Sequence, residues 1–144
     1  MKPTLSICMP LMAGTPLRKR NFEVICNQVA DIQRERPGVE FVVAEHESSN
    51  SANRKACKLV RFSGEFSRSR ARNIAWAHAS GDRLCFLDSD MVMPLDSWLA
   101  AIDEAENFDC YSPYRKLYLA GPKKTANRIK NNRYDFTMSL NNRH

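Results

Sequence analysis

Two aspartates, Asp88 and Asp90, stand one residue apart in the stretch FLDSDMVMP (residues 86–94), where a run of apolar residues ends. In an extended segment residues i and i+2 face the same side, so both carboxylates can converge on one ligand while Ser89 turns away. Oxygen donors of this kind suit Mn²⁺ or Mg²⁺, which keep several waters and take their remaining ligands from a substrate's phosphates. The same carboxylates are equally suited to accept backbone N–H groups in a loop, or to cap a helix beginning after Pro94. Spacing alone leaves both readings open. Arg68 and Arg72 lie one helical turn apart and can meet a single anion, or Arg68, Arg70 and Arg72 can all belong to a solvated basic helix face.

These residues need elements that hold them. Residues 4–9 form a short apolar run that reads as a buried strand, and Thr15-Pro16 then offers an N-cap followed by proline at the first helical position. Phe22, Ile25, Val29 and Ile32 recur at helical spacing up to a stop at Pro37-Gly38. Residues 41–44 predict a second strand that ends at Glu45-His46. CKLVRF predicts a third, short strand, and Ser67 begins a helix running through Ala79 and ending at Ser80-Gly81-Asp82. RLCFL is the fourth strand and delivers Asp88. Trp98, Leu99, Ile102 and Ala105 mark a further amphipathic helix, with CYSPYRKLYL as a candidate fifth strand.

Alternating strands and helices, with strands apolar throughout, predict an α/β fold: a mostly parallel sheet between two helical layers. Such sheets bind ligands beyond the carboxyl ends of their strands, where the strand order reverses. Those ends carry Pro10-Leu11, Glu45-His46 and Asp88-Ser89-Asp90.

The chain has 144 residues, enough for one domain with a core, and 43% of them are hydrophobic. Twenty-two Lys and Arg against 16 Asp and Glu give a net charge of +6, which suits a phosphate-rich ligand or an anionic surface. Five cysteines in odd number, widely spaced and without a CxxC pair, read as reduced, mostly buried thiols. With neither an apolar span nor a signal-peptide pattern, the expected location is the cytoplasm, with a basic surface able to lie against a membrane.

The stretch FSRSRARNIAWAHASGDRLCFLDSDMVMP resembles the core of glycosyltransferase family 2 and related enzymes of the GT-A fold. In that family a helix bearing Ala-Arg-Asn, then Gly-Asp, leads to a strand ending Leu-Asp-x-Asp. Ala71-Arg72-Asn73, Gly81-Asp82 and Leu87-Asp88-Ser89-Asp90 match that order, SICMP resembles the first strand, and FVVAEHESS resembles the second. The resemblance covers roughly residues 4–110 and implies a Rossmann-like GT-A sheet binding a nucleotide-diphospho-sugar donor. It also implies roles: Pro10 and Leu11 beside the nucleotide, Glu45 on the base or ribose, Asp88 at the ribose or metal, Ser89 among the donor-binding residues, and Arg68 and Arg72 on the diphosphate. Asp88 and Asp90 would hold the divalent ion. This chain differs from the family in having Glu45-His46 where a pair of aspartates is usual.

The family's acceptor side extends further, so the resemblance implies a core over residues 1–110 and a partial acceptor segment with a polar basic tail over 111–144. A shortened acceptor side would leave the general base unassigned and the acceptor, whether glycan, lipid or protein, unnamed. It would also leave room for a partner chain or second copy to complete the site. His46 and His78 read as packing or loop residues, and a terminal His144 as an unordered one.

Two other classes compete. PLMAGTPLRKR distantly resembles the glycine-rich loop of sugar nucleotidyltransferases, but Gly14 is its only glycine, and that loop needs several for backbone amides to reach phosphates. Residues 53–72 carry seven Lys or Arg against one acid, which would suit a non-catalytic module for nucleic acid or an anionic surface. Aromatics are not interleaved with those charges and no nucleic-acid motif accompanies them, so diphosphate binding is the stronger expectation.

Overall fold

The computed structural model describes residues 2–49 and 57–112. Its elements are β1 (Leu5–Leu11), α1 (Pro16–Glu35), β2 (Val39–His46), β3 (Lys58–Phe62), α2 (Arg68–Ala77), β4 (Arg83–Phe86) and α3 (Leu95–Glu104), followed by a 3-10 turn, Ala105–Asn107. They fall into two compact units, divided between Met91 and Val92. The candidate fifth strand lies largely outside the described residues.

The first unit holds a four-stranded sheet in the order β3-β2-β1-β4, every pair parallel. The chain adds β2 and then β3 on one side of β1 before crossing to lay β4 on the other. The strand order therefore reverses between β1 and β4. Cys8, Val42 and Ala44 pack with Ala71 and Ala75 of α2 on one face. Ile7, Met9, Leu11, Phe41 and Val43 point the other way by strand alternation and are equally buried. That second face lies toward α1, whose stripe of Phe22, Ile25, Val29 and Ile32 is buried. A central strand covered on both faces must be apolar throughout, which is why β1 and β2 lack a polar alternation.

Local chemistry sets the boundaries. Thr15 Oγ1 accepts from Arg18 N–H at the start of α1, and Ser67 Oγ accepts from Arg70 N–H at the start of α2. β1 runs two residues past the expected end, through Pro10, although proline cannot donate to a ladder. Leu87 N–H donates to the Cys8 carbonyl, so alternate residues of β1 aim their backbone groups at β4. Pro10 faces that side one step beyond the last β4 pair, Cys8 with Phe86, where no ladder bond is lost.

Gly81 is set by close approach. A Cβ there would lie 2.7 Å from Ser6 N and 2.8 Å from Leu5 C, so the turn before β4 rests directly on the β1 backbone. Gly81 N–H donates to Ser6 Oγ at 2.8 Å, and Lys2 pairs with Asp82. Glu40 gathers the same corner, accepting from Ser6 Oγ and from both the N–H and the hydroxyl of Ser80.

Burial alone would raise the Glu40 pKa, but the Ser80 and Ser6 hydrogen bonds and the charge of Lys58 outweigh it and hold the carboxyl below its ordinary 4.5. A depressed acid adds stability that is present above its unfolded pKa and is lost as the pH falls through the folded one. Urea midpoints are therefore expected to decline from about pH 4.5 downward, and Glu40→Gln to flatten that decline. An unchanged slope in the variant would remove Glu40 from the account.

The second unit's described part is α3 with its 3-10 turn. The helix buries Trp98 and Ala101, and beyond it Phe108 stacks on Tyr111, whose hydroxyl donates to Glu104 at 2.6 Å. No helix among the described residues is long and apolar enough to cross a membrane.

All five cysteines are free thiols; Cys8 and Cys26 are buried, Cys57 and Cys85 partly so, and Cys110 is exposed, unlike the expected burial. Burial, with Glu40 adding a like charge, pushes Cys8 up to about 11, and burial beside Cys8 does the same to Cys85. A hydrogen bond with Cys57, together with burial, raises Cys26 further. These thiols stay protonated at neutral pH and are poor nucleophiles.

Candidate donor site at the carboxyl ends of the strands

Asp88 follows β4 by two residues and points toward the α2 face of the sheet. Arg72, one turn into α2, donates through Nη2 to Asp88 Oδ1 at 2.7 Å. Both side chains are about one-third exposed, 36% and 34%, so the pair sits at the rim of the sheet, where an arriving ligand can still reach it. Arg72 Nε is buried, with no hydrogen-bond partner among the described residues. The helix thus delivers a guanidinium to the strand's carboxylate. A sequence separation of 16 residues closes to a hydrogen bond because α2 packs over β1 and β2 and returns the chain to β4 beside them.

Asp90 differs from the sequence expectation in one respect. Residues 88–91 are not extended: Met91 N–H donates to the Asp88 carbonyl at 3.2 Å, closing a turn that contains Ser89 and Asp90. The same-side rule for i and i+2 therefore does not apply, and the two aspartates share a tight turn instead. The apolar strand has run out and nothing remains to pair with, so the chain folds back. Asp90 is exposed on this turn and Ser89 is half-buried.

At the ends of the two central strands the candidates are buried. Pro10 faces Ala44 and Leu11 faces Glu45 in register, and Leu11 is 1% and Glu45 0% exposed. Glu45 Oε2 accepts from Arg61 Nε at 3.1 Å, the two being direct register partners on β2 and β3. A buried carboxylate needs such a partner, because leaving water unpaired costs several kcal/mol. Arg68 is exposed at the first turn of α2. The fold thus joins Arg72 to Asp88 and Glu45 to Arg61, two charge pairs on opposite faces at the same end of the sheet.

Sequence reasoning missed Arg61 and Ser49. Ser49 is buried, accepts from Ala13 N–H at 2.7 Å and ties the loop after β2 to the loop after β1. No local signal marks it, since its partner lies 36 residues away. Arg61 carries no local signal either: β3 is an edge strand holding two cations, Lys58 and Arg61, and only the β2–β3 register singles out Arg61.

His46 has Nε2 2.7 Å from the Gly64 carbonyl and Nδ1 2.7 Å from Ser48 Oγ, with its ring edge-on to Phe62 and Phe66. Gly64 itself takes φ +89, a conformation that favours glycine, and Arg70 braces the turn by lying over the Phe62 ring and donating to the Glu65 carbonyl. His46 therefore packs a loop, as does His78, whose Nδ1 lies 2.9 Å from the Ile74 carbonyl.

The family model for glycosyl transferase family 2 matches residues 20–143. The chain belongs to that family. Its parallel four-stranded sheet, with helices and a reversed strand order, is the α/β, Rossmann-like arrangement expected of a GT-A domain. No curated protein matches the chain. Membership supports a glycosyltransferase-like function, with a nucleotide-sugar donor and an acceptor, and favours neither the nucleotidyltransferase nor the nucleic-acid reading.

Among the described residues no group of three or more His, Cys, Asp or Glu is gathered as a metal cage. Asp88 and Asp90 offer two carboxylates, one with an oxygen already bonded to Arg72. That set fits Mg²⁺ or Mn²⁺ taking its other ligands from water and a diphosphate, and not a site built from protein alone.

Proposed function

We propose that the first unit binds a nucleotide-diphospho-sugar across the carboxyl ends of its strands and presents the sugar for transfer to an acceptor hydroxyl. Pro10, Leu11 and Glu45 lie beneath the nucleoside. Arg68, Arg72, Asp88 and Ser89 lie beside the diphosphate, and Asp88 and Asp90 hold Mn²⁺ or Mg²⁺. The observation that carries this reading is the Arg72–Asp88 pair, about one-third exposed, beside the point where strand order reverses.

Breaking the bond between sugar and phosphate leaves negative charge on a nucleoside diphosphate. A bound divalent ion supplies Lewis-acid neutralisation of that charge. Arg72 contributes fixed positive charge already oriented by Asp88, so little reorganisation is needed as the leaving group's charge develops. Arg68, on the same helix one turn earlier, adds a second cation from an exposed position. The acceptor's nature, and a partner chain or second copy completing its side of the site, belong to the same proposal.

Calorimetric titration of the full chain with UDP, GDP and CDP, with and without Mn²⁺, tests this directly. At least one nucleotide is expected to bind with an affinity that rises on adding metal. Failure of all three to bind under both conditions would remove the donor site.

A further inference from the structure

Glu45 is the penultimate residue of the strand beside which the donor's nucleoside is proposed to lie, yet its side chain is 0% exposed and its Oε2 is held by Arg61. A ligand arriving at that strand end meets Arg61, 48% exposed, before it meets Glu45. The pair is built into the sheet, because the β2–β3 register sets Glu45 directly opposite Arg61. Among the described residues Glu45 is the partner of Arg61, through Nε, which leaves both Nη groups as donors on a guanidinium whose direction is fixed.

We infer that Arg61 reads the base of the donor nucleotide and selects one that offers two adjacent hydrogen-bond acceptors. This rests on the donor-site reading above. A carboxylate only accepts hydrogen bonds and a guanidinium only donates them. Withdrawing the acid into the sheet and exposing Arg61 therefore inverts the hydrogen-bonding preference at this strand end. The planar fork matches paired acceptors such as guanine O6 and N7, the commonest specific partner of arginine among bases. Cytosine also has adjacent acceptors, N3 and O2. Uracil places an N–H between its two carbonyls, and adenine places its amino group beside N7. The fork therefore rewards guanine or cytosine over uracil or adenine.

The test is titration of the full chain with GDP, CDP, UDP and ADP at fixed Mn²⁺, for the wild type, Arg61→Lys and Arg61→Gln, with a thermal melt of each. GDP or CDP is expected to bind at least about fivefold more tightly than UDP and ADP, the low end for one bidentate contact. Arg61→Lys keeps a positive charge opposite Glu45 but loses the fork, so the preference is expected to fall to about one. If Arg61→Lys melts too early to titrate, loss of the same preference in Arg61→Gln decides. A purely structural role would lower the melting temperature and leave the ratio between bases intact. A contact with the diphosphate would weaken all four nucleotides equally. Either result, or a wild type that prefers UDP or ADP, overturns the inference while keeping the donor site. Absence of binding by all four would overturn the donor site, and this inference with it.

Discussion

Asp90→Ala is expected to abolish the metal-dependent part of nucleotide binding while leaving the fold intact. Asp90 lies exposed on the turn closed between Asp88 and Met91, and exposed positions of this kind usually change stability by no more than about 0.5 kcal/mol. In the proposed site its carboxylate is one of two, with Asp88, that the described residues at the end of β4 offer a divalent ion. Removing a ligand should cost more than disturbing an outer-shell partner, which already weakens metal sites about 10- to 100-fold. The expected result is therefore an affinity in Mn²⁺ that falls to the metal-free value, with an unchanged melting curve.

Asp88→Ala is the informative contrast. It removes the same kind of ligand but also deprives Arg72 of its carboxylate, and Arg72 Nε is already buried with no hydrogen-bond partner among the described residues. Stranding a partly buried cation costs on the order of 1–3 kcal/mol, toward the lower end here because both groups are about one-third exposed. Loss of binding and loss of stability should thus separate: Asp90 moves the first, Asp88 both. Metal-dependent binding that survives Asp90→Ala would count against a metal held by the Asp88-Ser89-Asp90 turn.

Gly81→Val is expected to produce the largest loss of stability of the changes considered. A Cβ at Gly81 would sit 2.7 Å from Ser6 N and 2.8 Å from Leu5 C, and these are backbone atoms of a central strand, which cannot rotate out of the way. Accommodation means lifting the Ser80–Asp82 turn off β1. That breaks the Gly81 N–H to Ser6 Oγ bond, disturbs the Glu40 contacts with Ser80, and shifts the start of β4. Overpacking of this kind costs about 1–3 kcal/mol before the broken hydrogen bonds are counted. A domain of this size loses about 4–8 °C of melting temperature per kcal/mol.

The consequence reaches the site. β4 begins two residues after Gly81 and carries Asp88 at its far end, so lifting the turn also misplaces the Arg72–Asp88 pair. Nucleotide affinity should therefore fall together with stability. Wild-type melting behaviour in Gly81→Val would mean that the turn stands clear of β1, contrary to the contact distances.

Much of this architecture is legible in the linear chain because its determinants are local. Thr15-Pro16 and Ser67 start the first two helices by satisfying N–H groups three residues on, so their positions could be predicted from the cap chemistry. The continuous apolar runs of β1 and β2 imply burial on both faces, and hence parallel strands between helices. The Gly81-Asp82 and Asp88-Ser89-Asp90 signatures, taken with Ala71-Arg72-Asn73, were enough to suggest the family that the comparison then showed.

Other features depended on which strands became neighbours. The β3-β2-β1-β4 order brings Glu45 to Arg61 and Arg72 to Asp88, each 16 residues apart, and no local rule specifies either meeting. Glu45 reads equally well as an exposed strand-end acid; only the register that sets Arg61 opposite it makes burial affordable. Extended geometry was the reasonable reading of residues 88–90, but the end of the ladder beyond Phe86 lets the backbone close a turn instead. Helix caps and apolar periodicity act over one to four residues and belong to the sequence. Charge pairing, burial and turn closure at the strand ends act across the sheet, and only the tertiary structure decides them.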